Sequence, residues 1–123
     1  GSFEVVGADA AHSFVLENSY DKEKSNMVHE AIALHSAVGI AHEREPEIAL
    51  VHFGAGIDVI GFRIEDVALE TREAIIKAYP RLDFKQSFSA LVDDQAHRKP
   101  DCHIAGHHKL GFSGKIKGAP FSE

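Results

Sequence analysis

The chain has 123 residues, of which 44% are hydrophobic and 26% charged, and this suits one globular domain over residues 1–123. Nineteen acidic and thirteen basic residues give a formal net charge of −6, which disfavours binding to a nucleic-acid backbone. No apolar run is long enough to span a membrane, and the single cysteine excludes an internal disulfide. We therefore expect a cytoplasmic protein with no nucleic-acid or membrane partner. We interpret Gly1 and Ser2 separately, as the remnant of a tag.

Apolar residues recur at helical spacing along most of the chain, and the alternation that is typical of strands is scarce. The pattern predicts five main helices, over residues 8–17, 21–36, 46–61, 69–79 and 83–98. The tail, residues 101–123, is rich in His, Gly and Lys and is predicted to be short helix plus irregular chain. The sequence thus predicts an all-α helical bundle.

One acid lies within an otherwise apolar helical segment, VHFGAGIDVIGF, which runs from Val51 to Phe62. On a helix, Asp58 shares a face with the apolar Val51 and Phe62. The small Gly54 and Ala55 lie on the same face, so we expect Asp58 to face inward. A buried carboxylate needs compensation. Two interpretations are open: a helix-packing acid satisfied by a neighbouring Arg, His or backbone N–H, or a site residue that binds a cation or metal.

A histidine on the second predicted helix poses the same question. His35 follows the apolar stripe of Val28, Ala31 and Ile32 at helical spacing and is predicted to point into the core. It is either a core histidine that donates to a carbonyl or, if it faces Asp58 across two packed helices, half of a candidate site.

A second group of histidines lies in the tail. His103 and His107 are four residues apart, with His108, His97 and Cys102 nearby. Such a pair on a helix can chelate zinc, but no third ligand has a fixed spacing here. We favour a solvated or locally bonded cluster, with adventitious metal binding as the alternative. The sequence contains neither a glycine-rich phosphate loop nor a nucleophilic serine motif.

The chain also resembles a known family along nearly its whole length. It is similar to the C-terminal part of HD-domain proteins, above all the cyanamide-hydratase-like branch, in five segments that occur in the family's order: FEVVGADAA (3–11), EAIALHSAVGIA (30–41), PEIALVHFGAGIDVIG (46–61), AYPRLDFKQSF (78–88) and KPDCHIAGH (99–107). The resemblance implies an all-α fold. It also implies a divalent metal (zinc, iron or manganese) held by an upstream His, a consecutive His-Asp pair and a later Asp.

The resemblance assigns roles to three residues of this chain. Asp58 matches the later metal-binding Asp, His35 matches a catalytic histidine of the substrate pocket, and His103 matches a histidine near that pocket. The implied activity is that of a metal-dependent hydrolase or hydro-lyase, in which a metal-activated water attacks a small substrate such as a phosphate ester, a nucleotide or a nitrile.

The family's defining motif is absent from this chain, because no His-Asp dipeptide occurs in it. The chain therefore matches only the second half of an HD protein. We expect it to be inactive alone and to hold no tightly bound metal. Asp58 should then contact His35, water or a partner chain, or take up a proton.

The alternative function is a non-catalytic helical interaction module that oligomerises. Without the family's N-terminal helices, an apolar groove should be exposed, lined by Val28, Ile32, Val51, Ala55 and Phe62. We expect a homo-oligomer, or association with the missing N-terminal half.

Overall fold

The computed structural model describes all 123 residues and consists of helices and connecting segments, with no strand. The seven α-helices are α1 (Phe3–Glu17), α2 (Lys22–Leu34), α3 (Pro46–Ile60), α4 (Leu69–Ala78), α5 (Phe84–Arg98), α6 (His103–Lys109) and α7 (Phe112–Lys117). Single 3-10 turns lie at Ala41–Glu43 and Ile64–Asp66. The predicted all-α class is confirmed: α1 to α5 are the five main helices, and the tail adds two short ones. None of the helices has both the length and the apolar character that a membrane crossing requires.

The helix starts follow local capping chemistry. The prediction that α1 begins at residue 8 is wrong by five residues, because the Ser2 side chain accepts a hydrogen bond from the Val5 N–H (3.4 Å) and caps an earlier start. Asp21 caps α2 by accepting from the Lys24 N–H at 2.8 Å. Pro46 occupies the first position of α3, where its missing N–H costs nothing.

The end of α3 depends on one glycine. Gly61 has a φ of +71°, in the left-handed region, and a Cβ on it would lie 2.4 Å from Cδ of Pro120. Glycine therefore meets two requirements at this position, a backbone conformation that L side chains rarely adopt and the close approach of the C-terminal segment.

Contacts within the chain divide it into two compact units, which we describe separately: a first unit, Gly1–Gly56, and a second unit, Ile57–Glu123. In the first unit α1 packs along α2, and Ala31, Ala41 and Ile48 form a small apolar cluster. In the second unit α5 packs against α6 and α7. A single domain over residues 1–123 stays a prediction.

Large apolar side chains are more often exposed than buried in this chain. Of the ten buried hydrophobic residues six are alanines, and the larger four are Ile48, Val92, Ile104 and Ile116. Sixteen large hydrophobic residues are exposed: Val5, Val6, Phe14, Leu16, Tyr20, Val38, Ile40, Leu50, Val51, Phe62, Leu69, Ile75, Tyr79, Leu82, Leu91 and Leu110. Of the residues expected to line an exposed groove, Val51 and Phe62 are exposed, whereas Val28, Ile32 and Ala55 are half-buried.

Candidate functional site

His35 lies at the C-terminal end of α2, in the first unit, and is half-buried. Its Nδ1 donates a hydrogen bond to the Ile32 carbonyl at 2.6 Å, and its own carbonyl accepts from Nδ1 of His52 at 2.7 Å. The edge of the Phe3 ring packs against the imidazole, with the ring centroids 5.9 Å apart. The hydrogen bond to a carbonyl that one interpretation predicts is present, and the catalytic role of His35 stays a prediction. Because Nδ1 carries the proton, Nε2 of the neutral ring is left as an acceptor that could bind or relay a proton.

Asp58 does not face inward, so that prediction is wrong. Its side chain is 63% exposed and accepts a hydrogen bond from Nη1 of Arg81 at 2.7 Å, while Nη2 of Arg81 donates to the Asp58 backbone carbonyl at 3.0 Å. The face shared with small apolar residues is not covered at this end of α3, and the carboxylate reaches solvent. Of the two interpretations, the helix-packing acid satisfied by an arginine describes the observed contact.

Arg81 is the buried member of this pair and the centre of a polar cluster, which we call the Arg81 hub. Its side chain is only 6% exposed, and Nε donates to the Glu123 carboxylate at 3.2 Å. The guanidinium lies over the rings of Phe84 and Phe121, at 4.8 and 4.2 Å from their centroids. The backbone N–H of Lys85 donates to the same carboxylate at 2.9 Å. Sequence reasoning missed Arg81, although an acid on an apolar helix signals that a nearby cation is needed.

In the tail, His103 and His107 interact directly along α6. Their Nε2 atoms lie 3.0 Å apart, and the rings meet edge to face with centroids 4.4 Å apart. Phe112 packs beside His107 at 5.8 Å. The two imidazoles bond to each other, and metal binding by this pair, the other interpretation, stays open. The substrate-pocket role of His103 stays a prediction.

A second polar cluster, which the sequence did not predict, centres on Asp93 of α5. The Ser113 hydroxyl donates to Asp93 Oδ1 at 2.5 Å, and Nε2 of His108 lies 3.1 Å from the same oxygen. The hydrogen bond from Ser113 lowers the pKa of Asp93 below its ordinary value; desolvation of the carboxylate opposes this shift, and the nearby His108 and Lys117 lower the pKa further. The Ser113 hydroxyl donates its hydrogen bond to the carboxylate and not to the His108 imidazole, so the trio lacks the Ser–His hydrogen bond of a Ser-His-Asp triad.

Beside this cluster a groove of about 440 Å³ runs along α5. It is lined by Lys85, Gln86, Ser89, Ala90, Asp93 and Lys117. The groove contains none of the three residues that the sequence singled out.

The residues present do not fit the metal that the family resemblance implies. No group of three or more His, Cys, Asp or Glu side chains in this chain is placed to hold an ion. Asp58 bonds to Arg81, and His103 bonds to His107, so these two predicted site residues do not form one cluster in the second unit. His35 belongs to the first unit.

No protein-family model, no curated protein and no solved structure matches this chain. The helices of the structure show that the protein is all-α. Membership of the HD family stays a prediction.

Proposed function

We propose that this chain is an incomplete helical domain, the C-terminal part of an HD-type metal-dependent hydrolase or hydro-lyase. The observation that supports it is the excess of exposed large apolar side chains, sixteen against four buried. A domain of this size normally buries about two-thirds of its unfolded surface around a core of such residues. A chain that exposes sixteen of them and buries only four is expected to need a further polypeptide segment to cover them, as the resemblance implies.

The resemblance alone gives the three predicted site residues their roles in this proposal, because the side chains of this chain do not by themselves form a metal site. Asp58 is the metal ligand of the complete protein, and in this chain its carboxylate is bonded to Arg81. His35 has Nε2 as an acceptor and orients the substrate or relays a proton. His103 lies at the substrate pocket. The remaining metal ligands come from outside these 123 residues, and the substrate class (phosphate ester, nucleotide or nitrile) rests on the resemblance alone.

The parent reading frame and the metal content of its product test this proposal. We expect an upstream His and His-Asp pair, about one equivalent of divalent metal, and loss of that metal in Asp58→Asn. Asp66→Asn is the matched control, because Asp66 is also an exposed acid paired with an arginine in the second unit. A reading frame without the upstream motif, or metal content unchanged in Asp58→Asn, would contradict the proposal.

A second candidate function, a helical module that associates with a second copy of itself, is favoured by α4. None of its ten residues is buried, and Leu69 and Ile75 are exposed. A helix this short is marginal in water without packing. Leu69 and Ile75 lie roughly 120° apart around the helix axis, so a second copy of α4 that packs between them covers both side chains.

Apolar burial favours this pairing. Each large side chain removed from water contributes about 1.5–3 kcal/mol, and two copies each supply Leu69 and Ile75. Association costs about 4 kcal/mol or more in lost freedom of motion, so four buried side chains exceed the lower end of this cost.

Sedimentation equilibrium at micromolar concentration tests the second candidate. We expect a dimer or higher oligomer that Ile75→Asp dissociates, whereas Leu110→Asp, at an exposed position outside α4, does not. A strictly monomeric 13.4 kDa species that binds no hydrophobic dye would contradict self-association.

A further inference from the structure

One turn of α6 brings two imidazole nitrogens together. Nε2 of His103 and Nε2 of His107 lie 3.0 Å apart. At that distance one nitrogen donates a proton and the other accepts it, so the neutral pair shares a single proton between two lone pairs. Both lone pairs thus point at one place on the surface of the second unit.

We propose that His103 and His107 form a two-histidine binding site for a nitrogen-preferring transition-metal ion, Cu²⁺ ahead of Zn²⁺. The ring that donates passes to its Nδ1–H tautomer by proton exchange with water, so both Nε2 lone pairs hold the ion, with water in its other positions. With metal–nitrogen bonds of about 2.0–2.1 Å, two neighbouring ligands are roughly 2.9 Å apart in a square plane and roughly 3.3 Å apart in a tetrahedron. The observed separation of 3.0 Å lies between these values, so either ion needs only a small movement of the rings.

A metal ion can reach the pair from the exposed His103 side, and packing fixes the ring of His107. His103 is exposed and His107 is half-buried, with the His107 ring packed beside Phe112. His108 is not a third ligand, since its Nε2 lies 3.1 Å from Asp93. A site with only two protein ligands agrees with the absence of any group of three metal-binding side chains. We therefore expect a weaker, exchangeable ion and not a structural one.

The first unit supplies a contrasting pair of histidines. The rings of His12 and His29 also lie near each other, at 5.9 Å between centroids. However, Nε2 of His12 donates to Asn26 at 3.1 Å, and Nε2 of His29 donates to Asp9 at 2.9 Å. Their nitrogens are directed at separate partners, so two neighbouring histidines here do not make a chelate.

Calorimetric titration of the full chain with Cu²⁺ and with Zn²⁺ tests the proposal. We expect one equivalent to bind, Cu²⁺ more tightly, and affinity to fall by about tenfold or more in His103→Gln and in His107→Gln, because each loses the intramolecular second ligand. The matched control is the double variant His12→Gln, His29→Gln, which should bind as the parent does.

A spectroscopic reading keeps the test decisive if a variant folds poorly. The electron paramagnetic resonance spectrum of the Cu²⁺-loaded parent chain should show coupling to two imidazole nitrogens. Unchanged affinity in both His103→Gln and His107→Gln, loss of binding in the first-unit variant, or coupling to fewer than two nitrogens would overturn the proposal. None of these outcomes depends on Asp58 or on the proposed hydrolase function.

Discussion

Both units bury apolar side chains, Ile48 in residues Gly1–Gly56 and Val92, Ile104 and Ile116 in residues Ile57–Glu123. They differ in the charged side chain that each one buries, which is the acid Glu4 in the first unit and the cation Arg81 in the second. The first unit buries Ile48 completely against Ala31 and Ala41. The second unit keeps the Arg81 side chain 6% exposed between an acid and two aromatic rings. Apolar burial does not depend on charge, while a buried cation is stable only as long as its partners remain.

The two units show two kinds of hydrogen-bond partner for a polar residue on an apolar segment, a backbone carbonyl and a charged side chain. In the first unit, His35 and His52 use their imidazole N–H groups on backbone carbonyls, so neither needs a charged partner. In the second unit, Asp58 and Glu123 converge on one guanidinium. Each unit is therefore expected to fail for a different reason, and four substitutions separate these reasons.

The largest expected effect is on the apolar centre of the first unit. Ile48→Ala removes the larger part of a fully buried side chain and should lower the free energy of unfolding by about 3–4 kcal/mol, from lost burial and the cavity left behind. Urea unfolding followed by circular dichroism measures it. Leu50→Ala, on the same helix but exposed, is the control and should change little. Equal losses in the two variants would show that the cluster around Ile48 is not the packing centre.

Next comes the Arg81 hub of the second unit. Arg81→Ala removes the partner of Glu123, whose side chain is 15% exposed, together with the packing on Phe84 and Phe121. We expect a loss of about 2–3 kcal/mol, less than for a fully buried ion pair because Asp58 is solvated. Arg98→Ala breaks an exposed pair with Asp94 and should cost about 0.5 kcal/mol or less. Similar denaturant midpoints for the two variants would contradict a stabilising role for the hub.

A third comparison isolates the approach of the C-terminal segment to α3 within the second unit. Gly61→Ala places a methyl group against Pro120 and should cost about 2 kcal/mol, part from the positive φ and part from the overlap. Gly111→Ala meets only the first penalty, since Gly111 has a φ of +81° but no neighbouring atom within 4 Å of the added Cβ. Its expected cost is about 1 kcal/mol. Equal losses of stability in the two variants would show that Pro120 moves away from the added methyl group at no measurable cost.

The smallest effect concerns the pH dependence of the second unit. Ser113→Ala removes the hydrogen bond that does most to lower the pKa of Asp93, so that pKa should rise toward its ordinary value. Because the folded-state pKa is lowered, the carboxylate stabilises the fold above its ordinary pKa, and this contribution is lost as pH falls through the lower folded-state value. Ser113→Ala should therefore show less acid-dependent loss. Carboxyl NMR titration measures the shift, with exposed Ser87→Ala as the control. An unchanged Asp93 titration in Ser113→Ala would contradict this account.

Four residues show how much of the candidate site could be predicted from the sequence. The spacing of His103 and His107 was sufficient to predict a local pair, because four residues make one helical turn whatever surrounds the helix. The same periodicity placed Asp58 on a face with small residues and led to the wrong expectation that it points inward. Periodicity states which residues share a face, but not whether another element covers that face. The hub arginine lies 23 residues along the chain from Asp58, where no local pattern connects the two.

The sequence by itself determined the helical class and the approximate span of five helices, because helix formation and capping depend on residues within a few positions of each other. For the tail histidines it left a solvated cluster, a locally bonded cluster and metal binding open. Only the tertiary structure decided the exposure of Asp58, the burial of Arg81, the Asp93 cluster and the uncovered state of α4. Each of these depends on whether a helix face is covered by residues that are distant in the chain, and local sequence patterns do not contain that information.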